Sequence, residues 1–278
     1  MFSQFAAQFT VFLRIPKTGS TTLKSIVLDK VAAEDRFVVS DKVYEVYGDT
    51  WRKHSNQKRW RKVYDLFREQ SKGRNTYQCL VGHTWYGVHE GIDVQTQYVT
   101  LVRNPVKRFI SLYNYFLDRC RKEHWISKEL NKRSMTFSDF ILDRDLSGHW
   151  ENQQVQMISG DMSPDQSSLS KALSNIEKDF LFIGMTEHFD EEVVHLSDLL
   201  DWGFPFYKRK NTSKKHVTIN HLSPDTICKV IEHNRLDIAL YEYVKAGRGD
   251  RRKGRTKIFQ ALNRLRSTSV VQHLRQVI

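Results

Sequence analysis

Five short apolar runs, separated by segments with helical periodicity, most constrain how this chain can fold. The runs cover residues 9–13, 36–40, 77–81, 97–102 and 180–184. Short buried strands that alternate with amphipathic helices are typical of a parallel sheet covered by helices on both faces. The pattern therefore predicts an α/β fold in which a central parallel sheet is flanked by helices, in a single domain over residues 1–246.

Periodic apolar positions also predict the helices. We expect them at residues 20–31, 105–120, 136–142, 151–158, 169–178, 190–200 and, as one long helix, 224–247. Residues 121–135 are basic and are expected to be irregular. Beyond the domain, we expect a basic linker at residues 247–257 and a C-terminal amphipathic helix at residues 258–278.

The first apolar run leads into a loop rich in Gly, Ser and Thr, R-I-P-K-T-G-S-T-T at residues 14–22. A strand, a loop of this kind and a helix start together form a phosphate site, because backbone N–H groups and the helix dipole point at the anion. Lys17 adds a full charge, and further donors are the hydroxyls of Thr18, Ser20, Thr21 and Thr22. The alternative is an ordinary strand-to-helix turn with a Ser N-cap. The Walker A pattern is absent, which favours a phosphate that does not belong to a nucleoside triphosphate.

Polar residues follow two further runs. Gly82 and His83 come after the third run, and Arg103 follows the fourth. Ligands of open parallel sheets bind outside the carboxyl ends of the strands. Arg103 can hold a phosphate through its planar fork, with Ser111 as an added donor; a structural Arg and a helix-surface Ser are the alternative. Two phosphate sites predict a ligand with both a 5′ and a 3′ phosphate group.

The composition favours an anionic partner. The formal net charge is +12, which is typical of proteins that bind nucleic acid, acidic glycans, membrane surfaces or phosphorylated cofactors. The segment W-R-K-H-S-N-Q-K-R-W-R-K at residues 51–62 is either a solvated helix face or a rim that grips a polyanion. The three cysteines are expected to be free thiols, and no metal-ligand spacing is present.

No apolar run reaches the length of a membrane span. We therefore expect the chain to be soluble as given. The expected compartment is the cytoplasm if the chain is complete, and the Golgi lumen if an N-terminal anchor has been removed.

The two phosphate motifs, R-I-P-K-T-G-S-T-T and V-R-N-P-V-K-R-F-I-S-L-Y-N-Y-F, resemble the cofactor motifs of sulfotransferases that use 3′-phosphoadenosine 5′-phosphosulfate (PAPS). The resemblance is to the carbohydrate branch, which includes the heparan sulfate 2-O- and 6-O-sulfotransferases and their bacterial and algal relatives. It extends to G-H-T-W-Y-G-V-H-E, E-N-Q-Q-V-Q-M-I-S-G, F-L-F-I-G-M-T-E-H-F-D and the N-T-S-K-K loop, over residues 9–246. It implies a P-loop-like sheet.

The resemblance also implies the roles of individual residues. The 5′-phosphosulfate would be held by Pro16, Lys17, Thr18, Gly19, Ser20, Thr21 and Thr22. The 3′-phosphate would be held by Arg103 with Ser111, and the loop at residues 208–215 would close over the nucleotide through Lys214 or Lys215. His83 would be the catalytic base, with His89 or Glu90 as the alternative, and Lys17 would stabilise the leaving group. No metal is expected.

The acceptor implied by the resemblance is a hydroxyl on a glycan. The basic charge favours an anionic chain such as a glycosaminoglycan or a sulfated polysaccharide. The expected contacts are Arg52, Lys53, Lys58, Arg59 and the region 119–133, with Glu90 also near the substrate. The chain differs from the vertebrate heparan enzymes at Gly19, where they often have Ala, in its single His83 without H-x-H, and in the missing stem. The rival functions are a P-loop-like kinase and a non-catalytic protein that binds heparin or nucleic acid; we expect no nucleic-acid partner.

Overall fold

A computed structural model describes residues 9–47, 56–71, 77–118, 124–204, 206–210 and 217–248 of the protein. Within these ranges five strands form one sheet in the order β2-β3-β1-β4-β5, and every neighbouring pair is parallel. The strands are β1 Phe9–Leu13, β2 Arg36–Val38, β3 Cys79–Gly82, β4 Thr96–Val102 and β5 Phe180–Met185. The predicted α/β fold with a central parallel sheet is confirmed.

Helices connect and cover the strands. In chain order they are α1 Ser20–Lys30, α2 Val39–Tyr47, α3 Asn56–Ser71, α4 Pro105–Asp118, α5 Trp125–Lys132, α6 Phe137–Leu142, α7 Arg144–Ser147, α8 Gln153–Ser159, α9 Gln166–Asp179, α10 Phe189–Leu199, α11 Pro224–His233 and α12 Arg235–Gly247. Single 3₁₀ turns lie at Gly148–Trp150, Thr186–His188 and Ile219–His221.

Alternate residues of β1 face opposite sides of the sheet, as the two-residue period of a strand requires. Val11 and Leu13 belong to a hydrophobic cluster with side chains from α3, α8, α9 and α12. Phe12 points the other way, into a cluster with α1 and α10. Both faces of the sheet are therefore covered. A third cluster packs α4, α5, α6 and α11 against one another beside the sheet.

The prediction that residues 121–135 are irregular was wrong, because α5 occupies much of this range. Ile126 and Leu130 are one helical turn apart and are both buried in the cluster that contains α4. The helix has only two buried apolar positions among basic and polar residues, so its periodicity is too short to stand out in the sequence.

The long helix predicted at residues 224–247 is two helices. Asn234 separates α11 from α12, with φ −120° and ψ 30°. Its side-chain oxygen accepts a hydrogen bond from the Asn152 N–H at 3.1 Å, and its side-chain amide donates to Val230 O at 2.9 Å. The break depends on a distant partner, whereas the apolar periodicity continues on both sides of it. In a similar way, the run at 36–40 divides into β2 and the start of α2 at Val39.

The described chain ends shortly after α12. Arg248 forms ion pairs with Glu191 and Glu192 on α10, so the first residue after the helix is held against the domain. The rest of the predicted linker and the predicted helix at residues 258–278 lie outside the described residues. Cys79 and Cys228 are free thiols, and Cys120 lies outside. No helix in the described part of the chain is long and apolar enough to cross a membrane.

The end of β3 packs tightly against α2. A Cβ atom added at Gly82 would lie 2.3 Å from both Cβ and Cγ2 of Val39. We expect Gly82→Ala to lower the free energy of unfolding by about 1–3 kcal/mol, the usual cost of overpacking a core. Chemical denaturation measures this. The control is Gly148→Ala, which meets nothing within 4 Å at φ −57° and should leave stability unchanged or raised by up to about 1 kcal/mol. Equal stability of the two variants would contradict the prediction.

Candidate functional site

A cavity of about 480 Å³ opens at the carboxyl edge of the sheet. Because β1 lies between β3 and β4, the segments that follow these three strands meet there. The cavity is lined by residues from the predicted site: Pro16, Lys17, Gly19, Ser20, Thr21, His83, Arg103 and Ser111. Lys210, from the predicted loop at residues 208–215, also lines it, although we did not single out this lysine. The other lining residues were not predicted as site residues: Trp85, Leu112, Tyr115, Trp150, Gln153, Met157 and Thr186.

The loop between β1 and α1 turns through two left-handed residues. Lys17 has φ 69° and Gly19 has φ 76°. Gly19 is the N-cap of α1 and offers no side-chain acceptor to the first helical turn, which suits an exogenous anion at these N–H groups. The space beside Gly19 is also limited, since an added Cβ would lie 3.1 Å from the ring of Phe189.

Two hydroxyls of this loop maintain its own shape. Thr18 Oγ1 and Ser20 Oγ both donate to the carbonyl oxygen of Ile15, each at 2.9 Å. Thr18 is fully buried and does not line the cavity. Thr22 is also outside the lining, and its Oγ1 accepts a hydrogen bond from the N–H of Lys210 at 3.1 Å. Among the predicted hydroxyl donors of this loop, therefore, only Ser20 and Thr21 border the cavity.

Arg14, the first residue of the loop, holds the start of α1 through its side chain. Its Nε donates to Ser20 O at 3.0 Å and its Nη2 to Thr21 Oγ1 at 3.3 Å. Burial lowers the pKa of Arg14 to about 10, so the guanidinium remains charged at neutral pH. We did not predict this residue as part of the site, although its place directly after a buried strand, at the start of the motif, was the available signal.

Arg103 connects the end of β4 to the loop. Its Nη1 donates to the carbonyl oxygen of Lys17 at 2.9 Å, and its side chain lines the cavity. Burial lowers the pKa of Arg103, and Glu187 opposes that shift. Ser111 lies two turns along α4, on the helix that Arg103 precedes. The Nζ atom of Lys17 is 4.1 Å from the ring centroid of Tyr115, a cation–π contact.

His83 follows β3 and is held by the chain beside it. Its Nδ1 lies 2.6 Å from the carbonyl oxygen of Arg14. Since a carbonyl oxygen only accepts, Nδ1 carries the hydrogen and Nε2 is the nitrogen that can take a proton. Burial and, after it, the charges of Arg14, Lys24 and Lys17 lower the pKa of His83 to about 4, although the hydrogen bond to Arg14 O opposes the shift. The ring is therefore neutral at pH 7.

Aromatic and apolar side chains form the rest of the cavity wall. Trp85 comes two residues after His83, Trp150 closes a 3₁₀ turn, and Tyr115 lies on α4. Among the described residues that line the cavity, none is Asp or Glu. The described ranges also contain no group of three or more His, Cys, Asp or Glu side chains placed to hold a metal ion.

The remaining predicted residues either lie outside the described cavity lining or fall outside the described residues. Glu90 is exposed in a turn, where its N–H donates to Gly87 O at 3.0 Å, and it is not part of the described cavity lining. His89 Nδ1 is 2.7 Å from the Tyr98 hydroxyl. The predicted positions Arg52, Lys53, Lys214 and Lys215 lie outside the described residues, as do the side chains of Lys58 and Arg59, whose backbone belongs to α3.

Comparison with known proteins adds independent information. A search of curated proteins finds no match. The model of the family described as sulfotransferase family matches residues 6–244, a range that includes the loop after β1, His83 and Arg103. Because this match covers most of the chain, the protein belongs to the sulfotransferase family.

Proposed function

We propose that this sulfotransferase takes the sulfuryl group from PAPS and transfers it to a hydroxyl of a glycan, with His83 as the base. One observation carries the proposal: Lys17, His83 and Arg103, from the ends of three adjacent strands, line one cavity. Donor binding and proton removal are the two tasks that the reaction requires, and this arrangement brings the groups for both tasks together.

The residues present fit a ligand with two separated phosphate groups. The start of α1 and Lys17 offer N–H donors and a full charge to a 5′-phosphosulfate. Arg103 and Ser111 offer a planar fork and a hydroxyl to a 3′-phosphate. Lys210 adds a third cation to the lining. The cavity volume of about 480 Å³ is within the usual range for small-molecule sites, about 300–1,000 Å³.

When bound, PAPS supplies a sulfuryl group whose sulfur forms a bond to the acceptor oxygen as its bond to the bridging phosphate oxygen breaks. His83 takes the proton of the acceptor hydroxyl at Nε2, while Nδ1–H remains bonded to Arg14 O. Lys17 and the N-terminus of α1 stabilise the charge that develops on the leaving phosphate oxygen. Arg14 holds the helix start through Ser20 O and Thr21 Oγ1, so these donors are positioned before the reaction begins.

The aromatic wall favours a sugar acceptor. Trp85 and Trp150 line the same cavity as His83, and tryptophan rings combine apolar contact area with a polar edge. The net charge of +12 favours a glycan that is itself anionic. We keep Arg52, Lys53, Arg59 and Glu90 as proposed contacts of that chain, and Lys214 or Lys215 as proposed contacts of the nucleotide.

The first test is transfer from radiolabelled PAPS to a panel of desulfated polysaccharides. We expect His83→Ala to lower kcat by about 10²–10⁴-fold, because general-base catalysis typically contributes that factor, while calorimetry shows unchanged affinity for the product nucleotide PAP. The control is His89→Ala, which should keep activity within about threefold of wild type. Full activity in His83→Ala would reject the base assignment, and absence of PAP binding by the wild type would reject the whole proposal.

The protonation state of His83 gives a second test. In the nucleotide-free protein, NMR should find that the His83 ring stays neutral as the pH falls and titrates near pH 4, because burial and nearby cations disfavour the charged ring. The His83→Ala spectrum assigns the signal. A midpoint close to 6.5, the ordinary value for histidine, would contradict a lowered pKa for His83.

Lys210 belongs to the predicted nucleotide loop at residues 208–215 and lines the cavity. We expect Lys210→Ala to weaken PAP binding by about fivefold. A partly exposed charge pair contributes about 1 kcal/mol, and this free energy corresponds to a factor of about five in the dissociation constant. The difference should shrink as ionic strength rises. Lys208→Ala is the matched control, since Lys208 is exposed and is not part of the described lining. Equal losses in both variants would indicate a general charge effect instead of a contact.

A further inference from the structure

The segment E-N-Q-Q at residues 151–154 contains a side chain that holds the backbone of Arg103. Gln154 is fully buried. Its Oε1 accepts a hydrogen bond from the Arg103 N–H at 2.8 Å, and its Nε2 donates to the Arg103 carbonyl oxygen at 3.0 Å. The side-chain amide of Gln154 thus satisfies both the N–H and the carbonyl oxygen of the Arg103 backbone. The two bonds fix the direction in which Arg103 leaves β4 and enters the cavity.

Gln154 is itself held at the start of α8 by a residue of α12. The buried carboxylate of Asp237 accepts N–H bonds from Gln154 at 3.2 Å and from Val155 at 2.8 Å. Asn152 Oδ1, just before α8, accepts hydrogen bonds from two N–H groups at the start of α12, that of Leu236 at 3.0 Å and that of Asp237 at 3.3 Å. Each helix start is therefore capped by a side chain of the other.

Arg108 joins this pair of helices to α4. Its Nη1 donates to Gln153 Oε1 at 3.0 Å, its Nη2 donates to Trp150 O, and it lies 3.7 Å from a carboxylate oxygen of Asp237. Arg108 and Asp237 are both fully buried. Burial raises the pKa of Asp237, while Arg108 lowers it. A misplaced α8 would leave these charges and N–H groups without partners, so the position of Gln154 is firmly determined.

We propose that Gln154 is a positioning residue for the nucleotide: it orients Arg103 toward the 3′-phosphate and acts on the ligand only through that arginine. The inference rests on the proposed function, in which Arg103 binds the 3′-phosphate. Without the Gln154 amide, the Arg103 backbone loses both partners, and the guanidinium is no longer held in the direction that suits a planar, bidentate contact. The substitution should therefore weaken binding of the 3′-phosphate and leave binding of the 5′-phosphate, at the loop after β1, unchanged.

The test compares two nucleotides that differ in the 3′-phosphate. Calorimetry measures binding of PAP, which carries both phosphates, and of AMP, which carries only the 5′-phosphate. We expect Gln154→Leu to weaken PAP binding by about tenfold and to change AMP binding by less than about threefold. The matched control is Gln156→Leu on the same helix, because Gln156 donates to Met162 O at 2.6 Å and does not contact Arg103; it should bind both nucleotides like the wild type.

A second variant keeps the inference testable if Gln154→Leu fails to fold. In Gln154→Glu the carboxylate can accept from the Arg103 N–H but repels the Arg103 carbonyl, whereas the protonated acid can donate to it. The groups around it are Asp237 on α12, Arg108 on α4 and Arg103. Relative to wild type at the same pH, PAP binding should be about tenfold weaker at pH 8 and should recover to within about threefold near pH 5.5, as the buried acid takes a proton.

Three outcomes would overturn the inference. One is a Gln154→Leu protein that binds PAP like the wild type, and another is an equal loss for PAP and AMP, which a general structural fault would produce. The third is a Gln154→Glu protein whose relative PAP affinity does not change with pH. A wild type that binds PAP no better than AMP would instead overturn the proposed function, and this inference with it.

Discussion

Parallel pairing of β1 with β3 on one side and β4 on the other is the constraint on which the site depends. The pairings Leu13 with Gly82 and Phe12 with Val99 bring the ends of three strands to one edge of the sheet. No single segment contains all the groups needed to bind the donor and react, because the loop after β1 (residues 14–22, the anion loop), His83 and Arg103 are far apart in the chain. An antiparallel neighbour would carry its last residue to the opposite edge, so the shared strand direction is what assembles the cavity.

Positive charge held close to the sheet edge is the second property of the site. Arg14 and Arg103 both lose hydration on burial, which lowers the pKa of each. Their guanidinium groups are partly satisfied by carbonyl oxygens of the anion loop, Ser20 O for Arg14 and Lys17 O for Arg103. Carbonyl oxygens satisfy hydrogen-bond donors but do not neutralise charge. The field that remains favours an anion in the cavity. Burial first, and then the charge of Arg14, lower the pKa of His83 and keep its ring neutral and able to accept a proton.

Sequence patterns were sufficient for the strands and for the edge at which the site lies. Apolar runs mark β1, β3, β4 and β5 to within about two residues, and the residues after three of them line one cavity. These features depend on local composition, which the sequence displays directly. The match to the sulfotransferase family agrees with the motifs that follow β1 and β4.

Other features depend on contacts between distant residues, and no local pattern reports them. The hydroxyl of Thr18 turns inward because the loop adopts a left-handed conformation at Lys17. Lys210 lines the cavity because its N–H donates a hydrogen bond to the hydroxyl of Thr22, which lies 188 residues earlier in the chain. The break at Asn234 needs Asn152, which is 82 residues away. In each case the residue type permits several roles, and the tertiary partner selects one.

The buried polar network around Asp237 shows why stability and function are difficult to separate in this protein. A buried ion pair such as Arg108–Asp237 is weak support for stability, because the cost of removing both charges from water offsets much of their attraction. The hydrogen bonds of this pair are directional, however. Asp237 accepts bonds from two N–H groups of α8, and Arg108 donates to the Gln153 side chain and to Trp150 O. Apolar residues of similar volume could fill the same space but could not fix the rotation of α8. Since Gln154 must face the Arg103 backbone for the end of β4 to be held, the network is better explained by the orientation it imposes than by the stability it adds.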